Sequence, residues 1–172
     1  MKFSLWRENG ALNSRPVFDA FANSLVGAGH DVVDNDSSSD VDVIWSVLWH
    51  GRMAANKRIW ENNQSSKKPT IVLEVGGIRR GITWKVGLNG INRDAYFGPT
   101  GNDYTRANHL GLHLKPWRSE GNYILICGQH EKSQQWAVMP NMTAWLGNTI
   151  NTIREHTDCL LYTSDAADDV RG

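Results

Sequence analysis

The sequence predicts an α/β fold, a parallel β-sheet with flanking helices, and three features of residues 41–81 carry that expectation. Val41 to Trp49 is an apolar run rich in β-branched and aromatic residues. Arg52 to Asn63 places Met53, Ile59 and Trp60 on one helical stripe. Thr70 to Val75 is a second apolar run, set off by Pro69. Strand, helix and strand within about thirty-five residues make a βαβ unit. Runs apolar on both faces suit parallel strands, which helices cover from both sides.

The remaining elements extend this pattern. Lys2–Trp6 reads as a first strand, punctuated by Gly10. Ser14 is placed to cap a helix with Pro16 just inside it, and Val17, Phe18, Phe21, Leu25 and Val26 recur at helical spacing up to Gly27. Asp31–Val33 is a short strand, and Asn35 to Asp40 is turn-rich loop. The parallel sheet is therefore expected from Lys2–Trp6, Asp31–Val33, Val41–Leu48 and Thr70–Val75. From Ile82 to Asn122 glycines interrupt the pattern, with a short helix at Thr105 to Leu112. Tyr123 to Cys127 is another strand and Met142 to His156 a helix. The expected organisation is a first domain over residues 1–115, a connector over 116–122, and the start of a second α/β domain over 123–158.

Residues 159–172 break the amphipathic pattern of the preceding helix, and the run CLLYTSDAADD resembles a translated sequencing adapter. They are expected to be a non-native tail without packed structure, the natural gene continuing past Asp158. Without them Lys plus Arg falls from 18 to 17 and Asp plus Glu from 18 to 15, a net charge of +2. Near-neutral charge offers no electrostatic basis for nucleic-acid binding. Hydrophobic content of 40% and charged content of 21% are those of an ordinary globular chain. No apolar run is long enough to span a membrane and residues 1–9 carry no signal peptide, so a cytoplasmic location is expected. Cys127, in an apolar run, reads as a packed small hydrophobe.

Ligands of open parallel sheets bind beyond the carboxyl ends of strands. The candidate binding residues are therefore Arg7 and Glu8 after the first strand and Arg52 after the third. Gly76, Gly77, Arg79 and Arg80 follow the fourth, and Gln129 and His130 follow Tyr123–Cys127. Paired glycines allow close backbone approach, and guanidinium groups suit phosphate or carboxylate. His50 is a candidate general base, its competitor being a water-exposed histidine at a helix start. Glu74, inside an apolar strand, either pairs with Arg79 or Arg80 or faces the crevice.

Several chemistries are excluded. GGIRRG at residues 76–81 is neither a dinucleotide fingerprint nor a P-loop. His109 and His113 have metal-ligand spacing but no third ligand nearby, so no metal is expected. No serine sits in a nucleophile elbow. Eight tryptophans are many for this length. Trp45, Trp60 and Trp145 fall on apolar stripes. Trp6, Trp49, Trp84, Trp117 and Trp136 fall at strand ends or in loops, where an indole is either a platform for a sugar ring or packing beneath a loop.

The strings WSVLWHGRMAANKRIWE, PTIVLEVGGIRRG, WKVGLNGINRD, KPW and YILICGQH lie within residues 1–158. With them the chain resembles the amino-terminal part of a GT-B-type glycosyltransferase, close to proteins of bacteriophages and marine metagenomes. The resemblance implies two Rossmann-like domains facing a cleft, the second beginning at Tyr123 and here cut short. It implies transfer from a nucleotide-sugar donor to a glycan or surface-structure acceptor, with His50 or Glu74 as base, no cofactor, and the host cytoplasm as the site of a phage-encoded enzyme. The alternative is a non-catalytic sugar- or nucleotide-binding module.

Overall fold

A computed structural model describes residues 1–96, 98, 104–117 and 119–164, the side chains of Arg106 and Ser164 excepted. The chain forms two compact units. One is Met1–Phe97 with Glu131–Val138, and the other is Gly98–His130 with Met139–Gly172. This division differs from a boundary at residues 116–122, because Glu131–Val138 pairs back onto the first unit.

The first unit is α/β with a mostly parallel sheet. Its elements are β1 (Lys2–Leu5), α1 (Arg15–Gly27), β2 (Asp31–Asp34), β3 (Val41–Trp45), α2 (Asn56–Ser66), β4 (Thr70–Val75) and β5 (Trp84–Leu88). The strand order is β2-β1-β3-β4-β5. The first four strands run parallel, with Phe3 opposite Val32 and Val41, and Val43 opposite Ile71. β5 adds to β4 antiparallel, Val75 opposite Trp84. The expected parallel set is therefore present, with an antiparallel edge beyond it.

Alternation along the buried strands sends two cores to opposite faces. Phe3, Leu5, Val43, Trp45 and Leu73 pack with Phe18 and Ala22 of α1. Ile44, Val47, Val72 and Ile91 pack with Trp60 of α2. Because successive strand residues point to opposite faces, one apolar run supplies both layers. Trp45 is 1% exposed and lies 6.2 Å from the Phe18 ring and 5.8 Å from Trp84, centroid to centroid.

β3 ends at Trp45, short of the expected Leu48. Ser46 takes φ 61°, which turns the chain out of the sheet. Leu48 then bridges Ser133, the Gln134 N–H donates to the Val47 carbonyl at 2.9 Å, and the Trp49 N–H donates to the Lys132 carbonyl at 3.0 Å. Trp136 is buried in this returning segment.

At the amino end of β3 the Asp42 carboxylate is buried and fully engaged. Its Oδ2 accepts from Asn63 Nδ2 at 2.8 Å and lies 2.8 Å from the Lys68 ammonium. Its Oδ1 accepts from Trp6 Nε1 at 2.9 Å and from Ser39 Oγ at 3.1 Å. These bonds tie α2, β1 and the loop before β3 to one point. In that loop Lys2 donates to Asp36 at 2.8 Å. This bond, aided by Ser38, holds the Asp36 carboxyl well below the usual carboxylate range.

In the second unit α3 (Thr105–His109) is short, and β6 (Tyr123–Cys127), α4 (Met142–Arg154) and β7 (Leu160–Ser164) follow. β7 pairs parallel with β6, Tyr123 opposite Leu160 and Leu125 opposite Tyr162. Here the expectation of a structureless tail from residue 159 is corrected. The run Leu-Leu-Tyr-Thr has high strand propensity, and α4 supplies the crossover that parallel pairing needs. Residues 165–172 lie outside the described residues. Cys127 is exposed, not packed, as is its free companion Cys159.

Candidate ligand crevice at the sheet switch point

From β1 the chain moves to β2 on one side, and β3 returns on the other side of β1. α1 and α2 cover opposite faces, so the chain switches faces between β1 and β3, and a ligand crevice is expected at the carboxyl ends of the strands there. A cavity of about 470 Å³ lies there. Its wall comes from the β1–α1 segment, which contributes Arg7, Glu8 and Arg15, from Asp34 and Asn35 at the end of β2, and from Arg52 beyond β3. Three residues expected at the site, Arg7, Glu8 and Arg52, thus meet in one place.

Local sequence shapes this wall. Arg7–Asn9 is a 3-10 turn closed by the Gly10 N–H donating to the Arg7 carbonyl at 3.1 Å. A Cβ at Gly10 would come within 2.2 Å of Ser14 Oγ. Ser14 is the N-cap residue of α1, as expected, but its side chain makes no capping hydrogen bond. Its backbone is already helical, and its hydroxyl donates back to the Ala11 carbonyl at 2.7 Å. Asn35 takes φ 54°, a left-handed conformation that asparagine tolerates. Asn56, fully buried at the start of α2, donates from Nδ2 to the carbonyls of Trp45 and Asn9 at 2.8 and 3.3 Å. It staples the segment leaving β3 to the one leaving β1.

The charges of the crevice are unequal in availability. Arg7 is held by two carboxylates, Asp34 at 2.8 Å and Asp19, and its guanidinium lies 5.9 Å from the Phe18 ring centroid. It is a structural clamp between β1, β2 and α1 more than a free ligand donor. Arg15, Arg52 and Glu8 form no ion pair among the described residues and are exposed.

Other expected residues lie elsewhere. His50 is exposed, outside the crevice wall, with Nδ1 3.4 Å from Lys132 Nζ. Glu74 pairs with neither Arg79 nor Arg80. Its Oε1 accepts from the Val75 N–H at 3.0 Å, and across the hairpin it stands opposite Lys85. Gly76, Gly77, Arg79 and Arg80 form the connection between β4 and β5, not a second wall of the crevice. Gly76 is buried and donates its N–H to the Thr83 carbonyl at 3.0 Å, while Arg79 sits at φ 48°. At Gly76 the close approach is to Thr83, just before β5, whereas Gly77 has open space around it. A Cβ at Gly76 would meet the Thr83 carbonyl oxygen at 2.3 Å. Gly76→Ala is accordingly expected to cost about 1–3 kcal/mol of stability, the scale of overpacking, and to leave ligand affinity unchanged. Urea denaturation and a binding titration on the same variant check both halves. Gln129 and His130 follow β6 in the second unit and belong to its description alone.

Arg15, Asp34 and Asn35 were missed. Asp34 and Asn35 were available to the reasoning that chose Arg7, since they end a parallel strand. The tryptophan expectation is also revised. Trp136 is buried, Trp6 donates to Asp42, Trp49 packs 6.2 Å from Trp60, and Trp84 packs on Trp45. Trp117 is 97% exposed. Four of the five candidate platforms are therefore packing. His109 ends α3, and Gly111 at φ 62° separates it from His113. Among the described residues no group of three His, Cys, Asp or Glu could hold a metal ion, and no helix is long and apolar enough to cross a membrane.

No protein-family model, no curated protein and no solved structure matches the chain. The class that fold and site define is an α/β unit with a polar crevice at its sheet switch point.

Proposed function

We propose that the crevice binds a sugar-type ligand and that the first unit serves as the acceptor side of a nucleotide-sugar-dependent glycosyltransferase. The supporting observation is the convergence of Arg7, Glu8 and Arg52 on one cavity at the switch point. A ligand rich in hydroxyls needs donors and acceptors placed together, since each buried hydroxyl left unpaired weakens binding. Arg15 and Arg52 offer donors, and Glu8, Asp34 and Asn35 offer acceptors. Glu8 is the carboxylate of this wall without an ion-pair partner among the described residues. It takes the role of base for the acceptor hydroxyl that the sequence suggested for His50 or Glu74. The positions of His50 and Glu74 outside the wall favour a second reading, a sugar- or nucleotide-binding module without transfer.

Backbone amide spectra of the chain titrated with monosaccharides test the binding site. Shifts concentrated at residues 7–15, 34–35 and 52 are expected, and shifts confined to other regions would remove it. Release of nucleoside diphosphate from nucleotide-sugars, measured on the chain joined to the sequence that completes its second domain, then separates the two readings. In the enzyme reading Glu8→Gln lowers release about a hundredfold or more, the scale of general-base catalysis, and keeps binding. Wild-type binding without release supports the module.

A further inference from the structure

The charge layout of the crevice narrows the ligand, on the reading that the crevice is a sugar site. Three arginines and two carboxylates line the cavity. Arg7 contributes little outward charge, because Asp34 and Asp19 already engage its Nε and Nη1. Asp34 is engaged by the same contact. Among the lining charges Arg7 and Asp34 cancel, which leaves Arg15 and Arg52 against Glu8, three positive and two negative groups in all; Asp19, the second partner of Arg7, lies outside the lining.

Arg15 and Arg52 reach the cavity from different segments of the chain. Arg15 opens α1, which packs with Phe3, Leu5 and Trp45 on one face of the sheet. Arg52 lies in the Gly51–Ala55 turn that leads into α2, and Met53 of that turn packs against the same core. The Asn56 staple between Trp45 and Asn9 fixes the distance between these two segments. Two guanidinium groups lining one cavity suit a group with several acceptor oxygens and negative charge. A neutral sugar would leave the excess positive charge of the wall unmatched.

We propose that the crevice takes a phosphorylated sugar, its phosphate lying between Arg15 and Arg52 and its hydroxyls meeting Glu8 and Asn35. Arg7 does not contact the phosphate.

Calorimetric titration of the chain with glucose 1-phosphate, glucuronate, glucose and inorganic phosphate tests this. Glucose 1-phosphate should bind at least about tenfold more tightly than glucose or inorganic phosphate, and its affinity should fall as salt rises. Arg15→Ala and Arg52→Ala should each weaken it about tenfold or more, while Arg79→Ala, on the β4–β5 connection, leaves it unchanged. Both crevice arginines are exposed, so their removal leaves the fold intact, as unchanged melting curves would verify. Equal affinity for glucose and glucose 1-phosphate, or insensitivity to both substitutions, would overturn the phosphate assignment and leave the sugar site standing. Glucuronate binding as tightly as glucose 1-phosphate would replace phosphate by carboxylate. Inorganic phosphate binding as tightly as glucose 1-phosphate would remove the sugar from the proposal. Absence of amide shifts at residues 7–15, 34–35 and 52 with every probe would remove the sugar site and this inference together.

Discussion

Asp42→Ala is expected to destabilise the first unit by about 3–5 kcal/mol, the scale for breaking a buried, hydrogen-bonded ion pair. The side chain of Asp42 is 3% exposed and that of Lys68 is 16% exposed. Alanine would leave the Lys68 ammonium with the Ser37 carbonyl and Ser39 hydroxyl but no counter-ion, take the acceptor from Trp6, and leave Asn63 and Ser39 with only Thr70 and the Val41 carbonyl to accept from them. Much of the loss is the desolvation of a buried Lys68 charge left without its counter-ion and of the Trp6 N–H left without its acceptor. Adding Lys68→Met should therefore recover part of it, since the stranded charge is gone. Urea denaturation of both variants measures this, and a loss below about 1 kcal/mol for Asp42→Ala would show that the network is dispensable.

Trp45→Ala should cost a similar 3–5 kcal/mol by a different route, the cavity left where a whole indole was buried. Trp45 joins Phe18 of α1 to Trp84 of β5, so the void opens at the meeting point of helix, central strand and edge strand. A loss of this size approaches the full stability of a small domain, and the variant should show a broadened or absent thermal transition by circular dichroism. Trp45→Phe, which keeps an aromatic ring, should lose less than half as much. Equal losses for the two variants would mean that the indole's second ring carries most of the packing.

The parallel sheet was legible because its signal is local. Val41 to Trp45 and Thr70 to Val75 carry their strand character in their own residues, and the helix between them sets their direction. β5 was less legible, since Gly87 interrupts Trp84 to Leu88 and only pairing with β4 settles it. The Gly76 turn was less legible for a related reason. A glycine reports that something comes close, and it does not say whether that is a ligand or Thr83. The segment at Lys132 to Trp136 carries no periodicity, and its place is fixed by partners more than eighty residues earlier, at Val47 to Trp49. For the site, residues following parallel strands were the right place to look. Which of them point inward, and which are spent on ion pairs as Arg7 is, depends on Asp19 and Asp34, neither adjacent to it in sequence.

The return of Glu131–Val138 makes the first unit a discontinuous domain, threaded by the chain three times at its border with the second. Such a body cannot be released whole by one proteolytic nick. A fragment ending at residue 97 would expose the Val47 carbonyl and the Trp49 amide, which Gln134 and Lys132 otherwise engage. Those unpaired backbone groups would form a sticky edge prone to self-association. The two units are thus bound to a shared fate in synthesis, because the first is completed only after the ribosome has passed residue 138.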